Sequence, residues 1–262
     1  MTPRLRLGYP TRLLDGPLRD KLHRVASFGA SGVQLDLRYE LRPGELSETG
    51  RRQFGRLLEE HGLSLAPPVF PLRRAMADIE GLEERVAAVG AAIRFTAELK
   101  ASTLIVRPGP IPPAESEKRA IFVEVANDLA RIGNHVGVTL ALTTGREAPG
   151  ALSEALQNVS AGPIGVNLDP AAAVMAGHEP ARLVTDLHAV LRHVRVRDGL
   201  QEADGAGVEV PVGRGEVDWE AVFASLAEIG YDGWFTPDRT SGDDPARDAA
   251  QAIAFVKNVM PF

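Results

Sequence analysis

The sequence predicts an α/β fold, a single (β/α)8 TIM barrel over residues 1–262, and three observations carry that expectation. Short apolar segments alternate with longer amphipathic ones, eight of each. Strands alternating with helices imply a parallel sheet, and eight such units close it into a barrel. The 262 residues match the ~250 typical of that architecture. No Gly-x-Gly-x-x-Gly turn follows the first strand, which places a doubly wound open sheet second. No composition shift marks a further domain.

The predicted strands are Leu5–Tyr9, Val33–Leu37, Leu63–Ala66, Thr103–Arg107, Thr139–Thr143, Gly165–Asp169, His193–Arg197 and Gly233–Asp238. Asp15 is placed to cap a helix with Leu18, Leu22 and Val25 on one stripe, ending near Gly29. Ser47 caps a second, carrying Phe54, Leu57 and Leu58 and stopped by Gly62. Ile79–Leu99 and Ser116–Asn134 repeat apolar residues at helical spacing. Gly150–Asn158, Pro180–Leu191, Trp219–Ile229 and Pro245–Val259 complete the set. The Pro-rich loop Pro108–Pro113 and the Gly-rich loop Asp198–Gly215 both follow strands, the end at which such barrels carry their sites.

Net charge is −6, from 35 acidic and 29 basic residues, which argues against a general nucleic-acid or anionic-membrane surface. The absence of cysteine excludes disulfides, thiolate metal sites and cysteine nucleophiles. No run reaches membrane-spanning length and no secretory signal is apparent, so the expected location is cytoplasmic.

Residues 193–198, His-Val-Arg-Val-Arg-Asp, are the most informative stretch. Successive strand side chains alternate faces, so His193, Arg195 and Arg197 share one face and Val194 and Val196 the other. Guanidinium groups turned into a protein must be paired, because an unpaired buried charge is costly. The same parity turns Gln34, Asp36, Arg107, Thr143, Asn167, Asp169, Thr236 and Asp238 inward. Three Arg and three Asp in that set can neutralise one another as internal ion pairs or face a ligand; the residues alone leave both open.

Gly32-Val33-Gln34-Leu35, Val106-Arg107-Pro108-Gly109, Gly165-Val166-Asn167-Leu168-Asp169-Pro170 and the 193–198 strand stand in one order along the chain. Gly213-Arg214-Gly215-Glu216-Val217-Asp218-Trp219 and Gly230-Tyr231-Asp232-Gly233 follow. Together they resemble the xylose isomerase-like superfamily of sugar-phosphate isomerases and epimerases over nearly the whole chain. The resemblance implies a TIM barrel. It also implies a divalent metal (Mn, Mg, Co or Zn), held by two Glu, one Asp and one His, and proton transfer beside a sugar carbonyl.

The sequence departs from that pattern where the chemistry belongs. Thr143 stands at the first metal-binding Glu, and Arg195 at the metal-binding His. Asp238 replaces the final Glu, Ala172 a substrate-contacting His, and Gln34 a Glu; Asp169 retains the family's Asp. A guanidinium cannot ligate a cation, so a metal-free site is expected, with Arg195 keeping Asp169 and Asp238 ionised. The expected catalytic residues are Asp169, Asp238 and Arg195, and the expected substrate-binding residues Gln34, Asp36, Arg107, Thr143, Asn167 and Arg197.

His193 is expected low in the barrel and hydrogen-bonded. His178 is a weak ligand candidate, Trp219 a helix-start core residue, and Trp234 either core or a wall of the site. Arg4 and Arg6 either join the inner charges or snorkel at the barrel bottom. Gly205-Ala206-Gly207 and Gly213-Arg214-Gly215 can approach a phosphate or form flexible loop.

Three functions follow. The first is a sugar or sugar-phosphate isomerase/epimerase with an altered, metal-free site. The second is a non-catalytic protein that binds a small carbohydrate or anion through the Arg107, Arg195 and Arg197 cluster. The third, an abasic-site endonuclease, lacks both a His/Glu metal cluster and a basic track.

Overall fold

A computed structural model describes residues 5–202 and 206–260. Arg4 and Gly205 lie outside the described residues. Eight parallel strands form one curled sheet: β1 (Arg6–Pro10), β2 (Gly32–Gln34), β3 (Ser64–Leu65), β4 (Thr103–Val106), β5 (Thr139–Thr143), β6 (Ile164–Leu168), β7 (Leu191–Val196) and, after a short ribbon, β10 (Trp234–Pro237). Their spatial order is β3-β2-β1-β10-β7-β6-β5-β4.

The two ends of this order meet through Val69, which makes parallel bridges to Asp36 and to Ile105. Val69 N donates to Leu35 O at 2.9 Å, and Phe70 N to Ile105 O at 2.9 Å. Pro67 and Pro68 have no amide hydrogens, so a regular ladder cannot continue past Leu65 and the closing contact consists of single bridges. The result is the α/β TIM barrel expected.

Helices α1 (Leu18–Ser27), α2 (Glu48–Glu60), α3 (Leu82–Glu98), α4 (Glu117–Val136), α5 (Ala151–Gln157), α6 (Pro170–Met175), α7 (Pro180–Asp186), α8 (Trp219–Glu228) and α9 (Pro245–Val259) surround the sheet. Leu104, Val106, Leu140, Leu142, Val166, Leu168, Val194 and Val196 are buried on the outer strand faces, as parity requires. Ser47 and Ser116 cap α2 and α4 by accepting from Gly50 N and Arg119 N. Trp219 starts α8 in the core, with its ring 5.5 Å from that of Phe223.

Three expectations need correction. Asp15 does not cap α1; Pro17 holds the N-cap, and its fixed φ sets the entry without a side-chain bond. One helix was expected after the sixth strand, and two form, because Asp169 and Pro170 start α6 directly at the strand end. The loop 198–215 is not merely flexible: β8 (Asp198–Leu200) and β9 (Val208–Val210) pair as an antiparallel ribbon.

Helices α1, α2, α4, α6 and α8 are each followed by a left-handed glycine: Gly29, Gly62, Gly137, Gly177 and Gly230. The corresponding position after α3 is Lys100, with φ 63°, the one non-glycine at positive φ among the described residues. That conformation costs an L residue roughly 1 kcal/mol relative to glycine.

Candidate functional site

The C-terminal strand ends open into a cavity of about 390 Å³, bordered by Arg12, Gln34, Asp36, Arg107, Thr143, Asn167, Arg195, Asp238 and the rings of Tyr39 and Phe70. Every residue expected to bind substrate lies here except Arg197, which sits behind Asp169.

Beneath the cavity runs a buried polar layer. Thr143, Asn167 and His193 are register neighbours on β5, β6 and β7. Asn167 Nδ2 donates to Thr143 Oγ1 at 2.9 Å, which turns Asn167 Oδ1 toward His193 Nδ1 at 2.7 Å. That bond assigns the imidazole proton to Nδ1, so Nε2 accepts from Thr236 Oγ1 at 2.9 Å. Burial, and then Arg195, push the His193 pKa down to about 3, so the ring is neutral. His193 is hydrogen-bonded beneath the cavity as expected, although β7 begins two residues before it, at Leu191.

Above that layer the charged groups form one chain of ion pairs. Arg195 Nη1 donates to Asp169 Oδ2 at 2.7 Å, and its Nη2 donates to Asp238 Oδ2. Arg12, in the turn after β1, donates to the other oxygen of Asp238. Arg197 Nη1 donates to Asp169 Oδ2 at 2.6 Å, and its Nε to Glu209 Oε1 at 2.9 Å. Glu209, on the ribbon, also accepts from the backbone and hydroxyl of Thr240 and from Ser241 Oγ. Arg239 stands 3.7 Å from Glu209 and pairs with Asp248 at 3.1 Å. Burial alone would raise the Asp169 and Asp238 pKa values. The arginines overcome it, holding Asp169 below its usual range and Asp238 at about 2.

Two cavity groups depart from this mutual neutralisation. Arg107 reaches Asp169 only at 3.5 Å, on an oxygen already shared by two closer arginines, and its side chain is 58% exposed. Burial and the repulsion of Arg195 push its pKa down, so it is the least compensated cation of the group. Asp36 is buried, with its pKa raised by desolvation, although Oδ1 accepts from Arg38 N and Tyr39 N.

The divalent-metal donor set implied by the resemblance does not fit this geometry. The guanidinium of Arg195 fills the space between Asp169 and Asp238, the two carboxylates retained at the family's ligand positions. Among the described residues, no three His, Asp or Glu side chains are placed to share an ion. His178 is outside this cavity and borders a small one beside α5.

Sequence reading missed Arg12, Glu209 and Arg239. Arg12 was findable by carrying strand parity past Pro10, and Glu209 by the apolar-polar-apolar pattern of Val208-Glu209-Val210. Trp234 is a wall of a different cavity, at the opposite end of the barrel. The turn Gly213-Arg214-Gly215 grips an internal anion: Asp198 accepts from Gly213 N at 2.9 Å, Val217 N at 3.1 Å and Trp219 Nε1 at 3.2 Å. A Cβ on Gly215 would overlap Asp198 Oδ1, which is why glycine is needed there.

The closed parallel barrel with a charged mouth defines an α/β barrel of the kind that carries its functional site on the strand ends. The family described as xylose isomerase-like TIM barrel matches residues 22–259, and the chain belongs to it. The structure is similar to a xylose isomerase domain protein from Planctomyces limnophilus (20% identity, 99% of this chain and 98% of that one, TM-score 0.83). It is also similar to a xylose isomerase-like TIM barrel protein from Mycobacterium smegmatis in complex with magnesium (16% identity, 99% and 97% covered, TM-score 0.76). A third similar structure is D-allulose 3-epimerase from Methylomonas sp. in complex with D-allulose (19% identity, 98% of each chain, TM-score 0.76). No curated protein matches the sequence. At these identities the likeness establishes the fold. Among the described residues, no helix is long and apolar enough to cross a membrane.

Proposed function

We propose that this chain is an isomerase/epimerase-like barrel that binds a small anionic carbohydrate, such as a sugar acid or sugar phosphate, at its mouth without a divalent metal. The observation that carries this reading is the Arg195 guanidinium bridging Asp169 and Asp238. A permanent cation there does the electrostatic work of an ion, keeping both carboxylates charged and in place.

The same bridge speaks for binding over turnover. Proton abstraction beside a carbonyl needs a base with a pKa near the working pH. Asp169 and Asp238 are shifted the other way, and Thr143 has no useful basicity. What the cavity offers a ligand is Arg107 for an anionic group, Gln34 and Thr143 (held by Asn167 beneath it) for hydroxyls, and Tyr39 and Phe70 for the apolar face of a sugar ring.

A thermal-shift series with gluconate, glucuronate, glucose 6-phosphate and neutral glucose tests this. At ten times its Kd, a ligand stabilises by about 1.4 kcal/mol, roughly 3–5 °C in a chain of this size. An anionic member of the series is expected to produce that shift, and Arg107→Ala to remove it. No shift with any anion up to 20 mM, or an undiminished shift in Arg107→Ala, contradicts the proposal.

A further inference from the structure

We infer that the N-terminal end of the barrel is a second anion site, built for a phosphate group. A cavity of about 550 Å³ opens there, at the opposite end from the mouth. Arg6 at the start of β1, Lys100 before β4 and Arg192 near the start of β7 converge on it, with Asp232 as the one carboxylate on its wall. Among the described residues, none of the three cations has a carboxylate within ion-pair distance. This contrasts with the mouth, where each arginine meets an acid. Three cations against one carboxylate leave two positive charges, the complement of a phosphate dianion. The hydroxyls of Ser64 and Ser102 line the same space as further donors.

Arg192 is positioned rather than loose. Its stem crosses the strand face where Gly165 has no Cβ, and Nη1 donates to Leu191 O at 2.9 Å and Ala189 O at 3.2 Å.

Lys100 is the second, independent observation. Five other helices among the described residues end on a left-handed glycine, and α3 alone puts a lysine there. Fold stability does not account for that choice, since glycine is the more stable residue at this φ. A costly backbone at a cationic residue on a cavity wall points to a use other than fold stability.

Trp234 lines this cavity and not the mouth, so its fluorescence reports on this end alone. The experiment titrates inorganic phosphate against chloride at constant ionic strength and follows tryptophan emission, with Trp234→Phe as the control that removes the signal. The parent is expected to saturate at millimolar phosphate. Lys100→Gly is expected to raise Tm by about 2–4 °C without phosphate and to weaken phosphate binding fivefold or more. Arg107→Ala leaves the phosphate affinity read from Trp234 unchanged, which separates this site from the mouth and keeps the test valid if the mouth proposal fails. A linear, unsaturable response in the parent overturns the inference, as does an undiminished affinity in Lys100→Gly or a loss of response in Arg107→Ala.

Discussion

Arg195→Ala lowers stability by about 3–5 kcal/mol at pH 7, because it strips a buried partner from two carboxylates at once. Asp169 is fully buried, the Asp238 side chain is 12% exposed, and both pair with Arg195. Asp169 keeps Arg197, and Asp238 keeps Arg12, which is why the loss is bounded. The pH dependence has a definite sign. The folded pKa of Asp238, about 2, lies below its ordinary 3.8. Its pairing therefore contributes stability that is present above the ordinary pKa and is lost as the pH falls through the folded one. In Arg195→Ala the carboxylates protonate at higher pH, so the gap between variant and parent narrows on acidification. Urea unfolding at pH 7 and pH 4 measures this. Arg195→Lys recovers only part, since an ammonium cannot span both acids as the planar fork does. Equal stability of Arg195→Ala and parent at pH 7 would show that the bridge is not holding the mouth together.

Asp198→Ala is the second large effect, expected to cost about 3–5 kcal/mol. Its carboxylate accepts from Gly199 N, Gly213 N, Val217 N and Trp219 Nε1, and each buried donor left unmatched costs about 1–3 kcal/mol before water reaches it. Asp198→Asn separates this role from a looser one. With the amide oxygen at Oδ1, the bonds from Gly199 and Val217 survive. The NH2 group then opposes the donors of Gly213 and Trp219, so about half the loss is expected. Chemical denaturation of the two variants checks the order; an Asn variant as stable as the parent would refute the cradle.

The barrel and its inner charges were legible because parallel strands repeat with period two. Val194 and Val196 had to face the helices, so Arg195 and Arg197 had to face each other's partners. All eight strands were placed, with ends shifted by a few residues where Pro10, Pro67 or Asp169 interrupts the ladder. What the sequence hid was contact across long separations. Nothing local marks Glu209 as the acid that pairs with Arg197, or Arg12 as the second partner of Asp238. The Gly-Arg-Gly turn read as a phosphate loop or flexible segment for a sound reason: its amides do bind an anion. That anion is the chain's own Asp198.

Direct titration with Mn²⁺ tests most closely the proposed role of Arg195 as the stand-in for a metal ion. The parent is expected to show no stoichiometric binding at up to 1 mM Mn²⁺, measured by calorimetry and by metal analysis of the protein as purified. One bound ion per chain, lost in Asp169→Asn or Asp238→Asn, would contradict it.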